Sequence, residues 1–136
     1  MNKLALIAAL IFYSTSFVLG QGRKIIINDE IKTKIEWKYI ISGNSQKKIK
    51  KELIRFDSKG NKIEIIQYED NGRIKKRKTQ KFNENNDLIL KISYLPNGKI
   101  KKKIVYKYKG KFEVSKTVFN GKDKLISRKE YEYLKE

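Results

Sequence analysis

The sequence predicts an all-β chain, an antiparallel β-meander of about seven or eight short strands joined by hairpin turns. The expected shape is a curved single sheet or a barrel-like one, preceded by a helical signal peptide. Three observations lead there. An aromatic residue is followed four positions later by Gly, Asn or Asp, and from Phe56 on this spacing recurs every 12 to 14 residues. Apolar and polar residues alternate between the turns. The first twenty residues have a composition unlike the rest.

That start is read first. Asn2 and Lys3 precede an unbroken apolar run from Leu4 to Tyr13, and Ser14 to Gly20 is mixed and small. Val18 and Gly20 suit positions three and one before a cut between Gly20 and Gln21. The run is too short for a spanning helix, which needs about 20 apolar residues. The reading is a signal peptide over 1–20 and a single β-repeat domain over 21–136, with no transmembrane span in the mature chain. The protein is then exported to the periplasm, the cell surface or the medium.

The turns come next. The repeat runs Tyr39/Gly43, Phe56/Gly60, Tyr68/Gly72, Phe82/Asn86, Tyr94/Gly98, Tyr106/Gly110 and Phe119/Asp123, with Tyr131 following in step. In Phe56-Asp57-Ser58-Lys59-Gly60, Asp at the first turn position and Gly at the last are type I preferences. A left-handed Gly then forms a bulge, a common hairpin connection. Pro96 falls at the second position of Leu95-Pro96-Asn97-Gly98, where its fixed φ belongs. Asn86 and Asp123 replace Gly and tolerate positive φ best. One kind of turn is therefore expected at Gly43, Gly60, Gly72, Asn86, Gly98, Gly110 and Asp123.

Between turns the period is two. Ile31, Thr33, Ile35, Trp37, Tyr39 and Ile41 share a face. So do Leu88, Leu90, Ile92 and Tyr94; Ile100, Ile104, Tyr106 and Tyr108; and Phe112, Val114 and Val118. One face of the sheet is expected to be apolar and the other wet and basic. The aromatics then belong to the core. Gln46 to Arg55 is read as a strand rather than a short helix. Lys75 to Lys81, polar on both faces, is expected at a sheet edge. No helix of useful length is expected to cover the sheet.

The chain carries a formal charge of +18 and lacks both histidine and cysteine. Catalysis by a Ser or Cys nucleophile with His is excluded, and no disulfide staples the fold. The acids Asp57, Asp70, Glu84, Asp87 and Asp123 sit at turns, which they suit. The loop Asn83 to Asp87 is rich in oxygen ligands but lacks EF-hand spacing, so an ordinary turn is expected. No catalytic residue, cofactor or metal is predicted. The candidate anion-binding face is Lys75, Lys76, Arg77, Lys78, Lys99, Lys101, Lys102 and Lys103, a continuous plate if their strands are neighbours. Lys47, Lys48, Lys50 and Lys51 form a similar run. Only five of the 33 basic residues are arginine, so the charge also suits solvation and compositional drift.

Arg55 to Asn61 and Tyr68 to Ile74 resemble the tyrosine–aspartate (YD, Rhs-type) repeats of bacterial secreted proteins, and also variant MORN repeats of small exported ones. The pairs Trp37/Tyr39, Tyr106/Tyr108 and Tyr131/Tyr133 are similar to the aromatic pair that opens such a unit. The resemblance implies a β-hairpin scaffold or binding role without catalysis. The expectation is an exported, non-catalytic β-repeat protein acting as a structural or binding module at the cell envelope. Two alternatives stand beside it: a polyanion binder using a lysine-rich sheet face, and, from the resemblance, an immunity-like partner of a toxin. The partner would be an anionic envelope polymer or a protein, with no specific nucleic acid.

Overall fold

A computed structural model describes residues 19–136. The expected signal segment lies outside the described residues except for its last two, which open a helix, α1 (Leu19–Asn28). Eight strands follow: β1 (Thr33–Ser42), β2 (Ser45–Phe56), β3 (Lys62–Tyr68), β4 (Ile74–Phe82), β5 (Leu88–Tyr94), β6 (Ile100–Lys109), β7 (Phe112–Asn120) and β8 (Leu125–Glu130). They form one antiparallel sheet in the order of the chain, as the meander predicts. The sheet does not close, and β1 and β8 are its edges. Gln46 to Arg55 is strand. No helix among the described residues is long and apolar enough to cross a membrane.

Five turns share one geometry. In Asp57–Gly60, Glu69–Gly72, Asn83–Asn86, Leu95–Gly98 and Asn120–Asp123, the last N–H donates to the first carbonyl at 3.0–3.1 Å. The first N–H donates to the carbonyl just beyond the turn at 2.8–3.0 Å. The last residue has positive φ in all five, Asn86 at 64° and Asp123 at 59° included. This is the type I turn with a left-handed bulge residue. A side chain completes each one. Asp57, Asn83 and Asn120 each accept two backbone N–H groups across the turn. Asn71 and Asn97 each accept one.

The other two turns differ from the expectation. Ser42 pairs with Ser45 and Lys109 with Phe112, so only two residues connect those strands. Gly43 (φ 57°) and Gly110 (φ 60°) take the first loop position, and Asn44 and Lys111 are not among the positive-φ residues. That is the type II′ pattern, with Gly first. The second aromatic of each segment extends the strand to the turn, which tightens the loop.

Every neighbouring pair of strands contains a one-residue register slip. The residue left without a partner is Lys51, Ile63, Lys75, Ile89, Lys101, Val114 or Ile126, always on the second strand of the hairpin. The slips thus recur with the 12-to-14-residue repeat. Cross-strand partners share a face, and a bulge exchanges the two sets. After Phe56, for example, the pairing Phe56–Lys62 gives way past Ile63 to Arg55–Glu64. Tyr68 therefore lies on the face opposite Phe56, although twelve residues is an even number. The same step carries Phe82, Tyr94, Tyr106, Phe119 and Tyr131 to alternate faces in turn.

This corrects the expectation of one apolar face and one wet face. Leu90, Ile92 and Tyr94 of β5 lie on the face of Trp37 and Tyr39, here called the front. Ile104, Tyr106 and Tyr108 of β6 lie on the back. Neither face is dry. Among the described residues only Ile49, Ile54, Phe56, Asn61, Glu64, Ile104 and Ser115 are buried. The aromatics are mostly half-buried or exposed and do not make a core. The polar segment Lys75 to Lys81 can accordingly occupy β4, in the sheet interior, and not the edge expected for it.

The helix α1 was not expected, and it docks on one end of the sheet. Ile31 N–H donates to Ile26 and Glu30 N–H to Ile27, with Glu30 left-handed at φ 53°. This helix-ending motif turns the chain into β1. Arg23 donates to the Lys59 carbonyl at 3.0 Å and to Asn61 Oδ1 at 2.6 Å. Gly60 is required beneath it, since a Cβ there would meet Arg23 Cγ at 3.0 Å and Ile27 Cγ1 at 3.1 Å. The Asn61 amide also donates to Asp57 and to Asn86, tying the helix to two turns.

Burial pushes the Asp57 carboxyl up, but hydrogen bonds from Asn61 and Lys59 and the Arg23 charge outweigh it and hold the group below its ordinary value. A lowered folded-state pKa stabilises the dock above the unfolded value near 3.8, and this is lost as pH falls through the folded value. Acid should therefore release α1 before the sheet melts. Amide exchange at Gly60 and Asn61, followed from pH 6 down past the ordinary carboxylate value of 3.8, should rise ahead of that in β3 to β6. Simultaneous loss would contradict this.

Candidate anion-binding face

The two faces hold their cations differently. Across the front, aromatics on odd strands alternate with cations on even strands. Lys48 of β2 lies 4.4 Å from the Trp37 ring and 5.9 Å from Tyr39. Lys50 lies 5.6 Å from Trp37 and 5.5 Å from Tyr68 of β3. Arg77 of β4 lies 4.6 Å from Tyr94 of β5, and Lys103 of β6 lies 5.2 Å from Phe119 of β7. Each contact is worth about 0.5–1 kcal/mol at an exposed site. The aromatics hold this sheet as partners of cations on neighbouring strands.

Carboxylates complete the front. The Glu64 side chain, with only 10% of its surface exposed, takes Arg55 at 2.9 Å and Arg77 at 2.8 Å, joining β2, β3 and β4. Asp123 pairs with Lys103. Asp70, near Lys38 and Lys47 of the back, pairs with the bulge residue Lys51 at 2.8 Å. Among the described residues, Arg55, Arg77 and Lys103 are thus matched by carboxylates and Lys48 and Lys50 by rings, while Lys81, Lys107 and Lys109 stand separately on the front with neither.

The back face contains an unmatched group. Register places Lys78 (β4), Lys91 (β5), Lys102 (β6) and Lys116 (β7) together there, on four successive strands. Lys78 and Lys102 both stand opposite Ser93, and Lys91 stands between Gln80 and the buried Ile104. Lys116 also lies 5.7 Å from the Tyr106 ring. Among the described residues, none of the four reaches a carboxylate. Burial, followed by the charges of Lys78, Lys102 and Lys116, pulls the Lys91 ammonium below its ordinary value. Like charges facing one another across strands destabilise a sheet. A bound anion would relieve that strain.

The residues predicted from the sequence are divided by the fold. Lys76, Lys78 and Lys102 lie on the back, while Arg77 and Lys103 lie on the front. Lys75 and Lys101 occupy bulges, and Lys99 closes a turn. Strands β2, β4 and β6 are separated by β3 and β5, so the basic runs do not form a continuous plate. Lys91 and Lys116 were missed because each is a single lysine between uncharged neighbours. Only cross-strand register brings them to the cluster. The Asn83 to Asp87 loop is spent on its own turn, where Asn83 binds the N–H groups of Asn85 and Asp87.

Fold and faces together describe an open, single-layer β-meander whose back face gathers four lysines from successive strands without a carboxylate. The sequence matches no protein-family model and no characterised protein.

Two outcomes follow. Replacing Glu64 by Gln leaves Arg55 and Arg77 without their shared partner and should cost about 1–2 kcal/mol, reduced from the fully buried case because both arginines are partly exposed. Replacing Lys91 by Met should instead stabilise the free protein at neutral pH by about 0.5–1 kcal/mol. The charge on Lys91 costs stability throughout the range below its lowered pKa, and the cost disappears as pH rises through that value towards 10.5. Urea unfolding at pH 7 checks both, and the gain from Met should shrink at the alkaline end.

Proposed function

We propose that this protein is an exported, non-catalytic β-repeat module that binds an anionic polymer of the cell envelope. The ligand lies on the back face against Lys78, Lys91, Lys102 and Lys116. The observation that carries this reading is the contrast between the faces. The front cations Arg55, Arg77 and Lys103 hold carboxylates, and Lys48 and Lys50 lie over rings, whereas the back cluster retains mutual repulsion around Lys91 with no acid to offset it. Strands stand about 4.8 Å apart, so the cluster spans roughly 14 Å across β4 to β7. That is a row suited to successive charges of an extended polymer and too open to enclose a small molecule. Lysine gives point charges without bidentate geometry, which favours charge density over a specific sequence.

The resemblance to YD and MORN repeats agrees with a scaffold that presents a surface. The Asp57 and Asp87 carboxylates accept hydrogen bonds within their turns, and Asp70 and Asp123 pair with lysines, which suits structure more than proton transfer.

Two triple variants with the same loss of charge test the reading. One carries Lys78, Lys91 and Lys102 to Gln on the back, and the other Lys81, Lys107 and Lys109 to Gln on the front. With duplex DNA as a sequence-neutral polyanion, the back triple should lower the salt slope of log K by about 3 units. The front triple should change it much less. Equal effects would reduce the charge to general solvation and remove the site.

A further inference from the structure

The front row of cations and aromatics is periodic, and it stops at both edges of the sheet. The cation on each even strand lies over the aromatic of the next strand: Lys50 over Tyr68, Arg77 over Tyr94 and Lys103 over Phe119. Arg77 and Lys103 stand two residues beyond the bulges at Lys75 and Lys101. In β8 the bulge is at Ile126, and the equivalent residue is Arg128. Like Arg77 on Glu64 and Lys103 on Asp123, Arg128 holds a carboxylate, Glu130. It lacks the third element, an aromatic on a following strand. At the opposite edge, β1 presents Trp37 and Tyr39, 42% and 49% exposed, paired with lysines of β2 but, among the described residues, with no cation from a strand before them.

We propose that β8 of one copy pairs antiparallel with β1 of a second copy, head to tail, extending the sheet and its cation–aromatic row. The occupant is fixed by complementarity. Arg77 stands directly opposite Tyr94, and Lys103 opposite Phe119. Placing Arg128 opposite Trp37 of the next copy sets Lys129 opposite Glu36, an attractive pair on the back face. The register that puts Arg128 opposite Tyr39 sets Lys129 against Lys38 and is disfavoured. Both edges are accessible, since all ten residues of β1 and all six of β8 are exposed. The helix α1 docks on the β2–β3 turn, and among the described residues no strand pairs with the outer edge of β1. Exposed apolar side chains line both edges, Ile35 and Ile41 on one and Leu125 and Ile126 on the other. A head-to-tail contact leaves a free edge at each end of a dimer, so assembly continues beyond it. Each copy adds eight strand spacings, about 38 Å.

Charge exchange tests this with the full purified chain. Sedimentation of the wild type should show a weight-average mass that rises with concentration past the dimer. Lys129→Glu and Glu36→Lys should each weaken association about tenfold by placing like charges opposite one another. Mixed in equal amounts, the two single variants should associate as the wild type does, because each supplies the edge that the other needs. Circular dichroism should show the same sheet in all samples, as both positions are exposed. A wild type that stays monomeric, variants that associate unchanged, or a mixture that fails to recover would each overturn the proposal.

Discussion

One unpaired residue in each β-hairpin governs this molecule. The type I turns set each pre-turn aromatic opposite the residue six positions on, and the next residue is then left out of the ladder. Without that omission an even repeat would return every aromatic to the same side. With it, successive aromatics fall on alternate faces and the apolar rows of β5 and β6 turn away from each other. A sheet with one wholly apolar face would need a second layer to cover it. The slip divides the apolar surface between two partly wet faces, and a single layer is sufficient. It also sets long lysine stems beside apolar neighbours, as where Lys91 lies opposite Ile104 and Lys103 opposite Ile92.

Stability in such a sheet is distributed among neighbours, as in other repeat architectures. Each hairpin contributes its ladder, and five of the seven turns are closed by an Asx side chain. The network of Arg23, Asp57, Asn61 and Asn86 at one end, and the Glu64 bridge at the centre, add polar links between adjacent units. Twist from repeated bulges keeps the sheet from stacking flat. The back-face lysines stand outside this pattern of compensation, and their placement connects the architecture to a binding role.

Much of this was legible in the sequence because it is local. Asp, Asn, Pro and Gly at fixed turn positions specify φ values regardless of the rest of the fold, so five turns and eight strands followed directly. The two tighter turns were obscured because Tyr39 and Tyr106 keep the four-residue spacing to Gly while the strand continues to Ser42 and Lys109. The bulges left no signal: Lys51, Ile63, Lys75, Ile89, Lys101, Val114 and Ile126 are lysines and β-branched apolar residues of the kinds that fill the strands throughout. Face assignment depends on them, so the expected lysine plate was divided, and Lys91 and Lys116 entered the candidate site only through pairing. The helix α1 was hidden by a short, weakly patterned sequence whose order depends on a contact at Gly60.

The slip between β5 and β6 is the most direct point of test. The unslipped register would pair Leu90 with Ile104 and place Ile92, Tyr94, Ile104 and Tyr106 on one face. The slipped register pairs Leu90 with Val105 and Lys91 with Ile104. Cross-strand nuclear Overhauser contacts in the backbone distinguish the two. Contacts linking Leu90 to Val105 and Ile92 to Lys103 are the predicted result. Contacts linking Leu90 to Ile104 and Ile92 to Lys102 would contradict the alternation of faces and every consequence drawn from it.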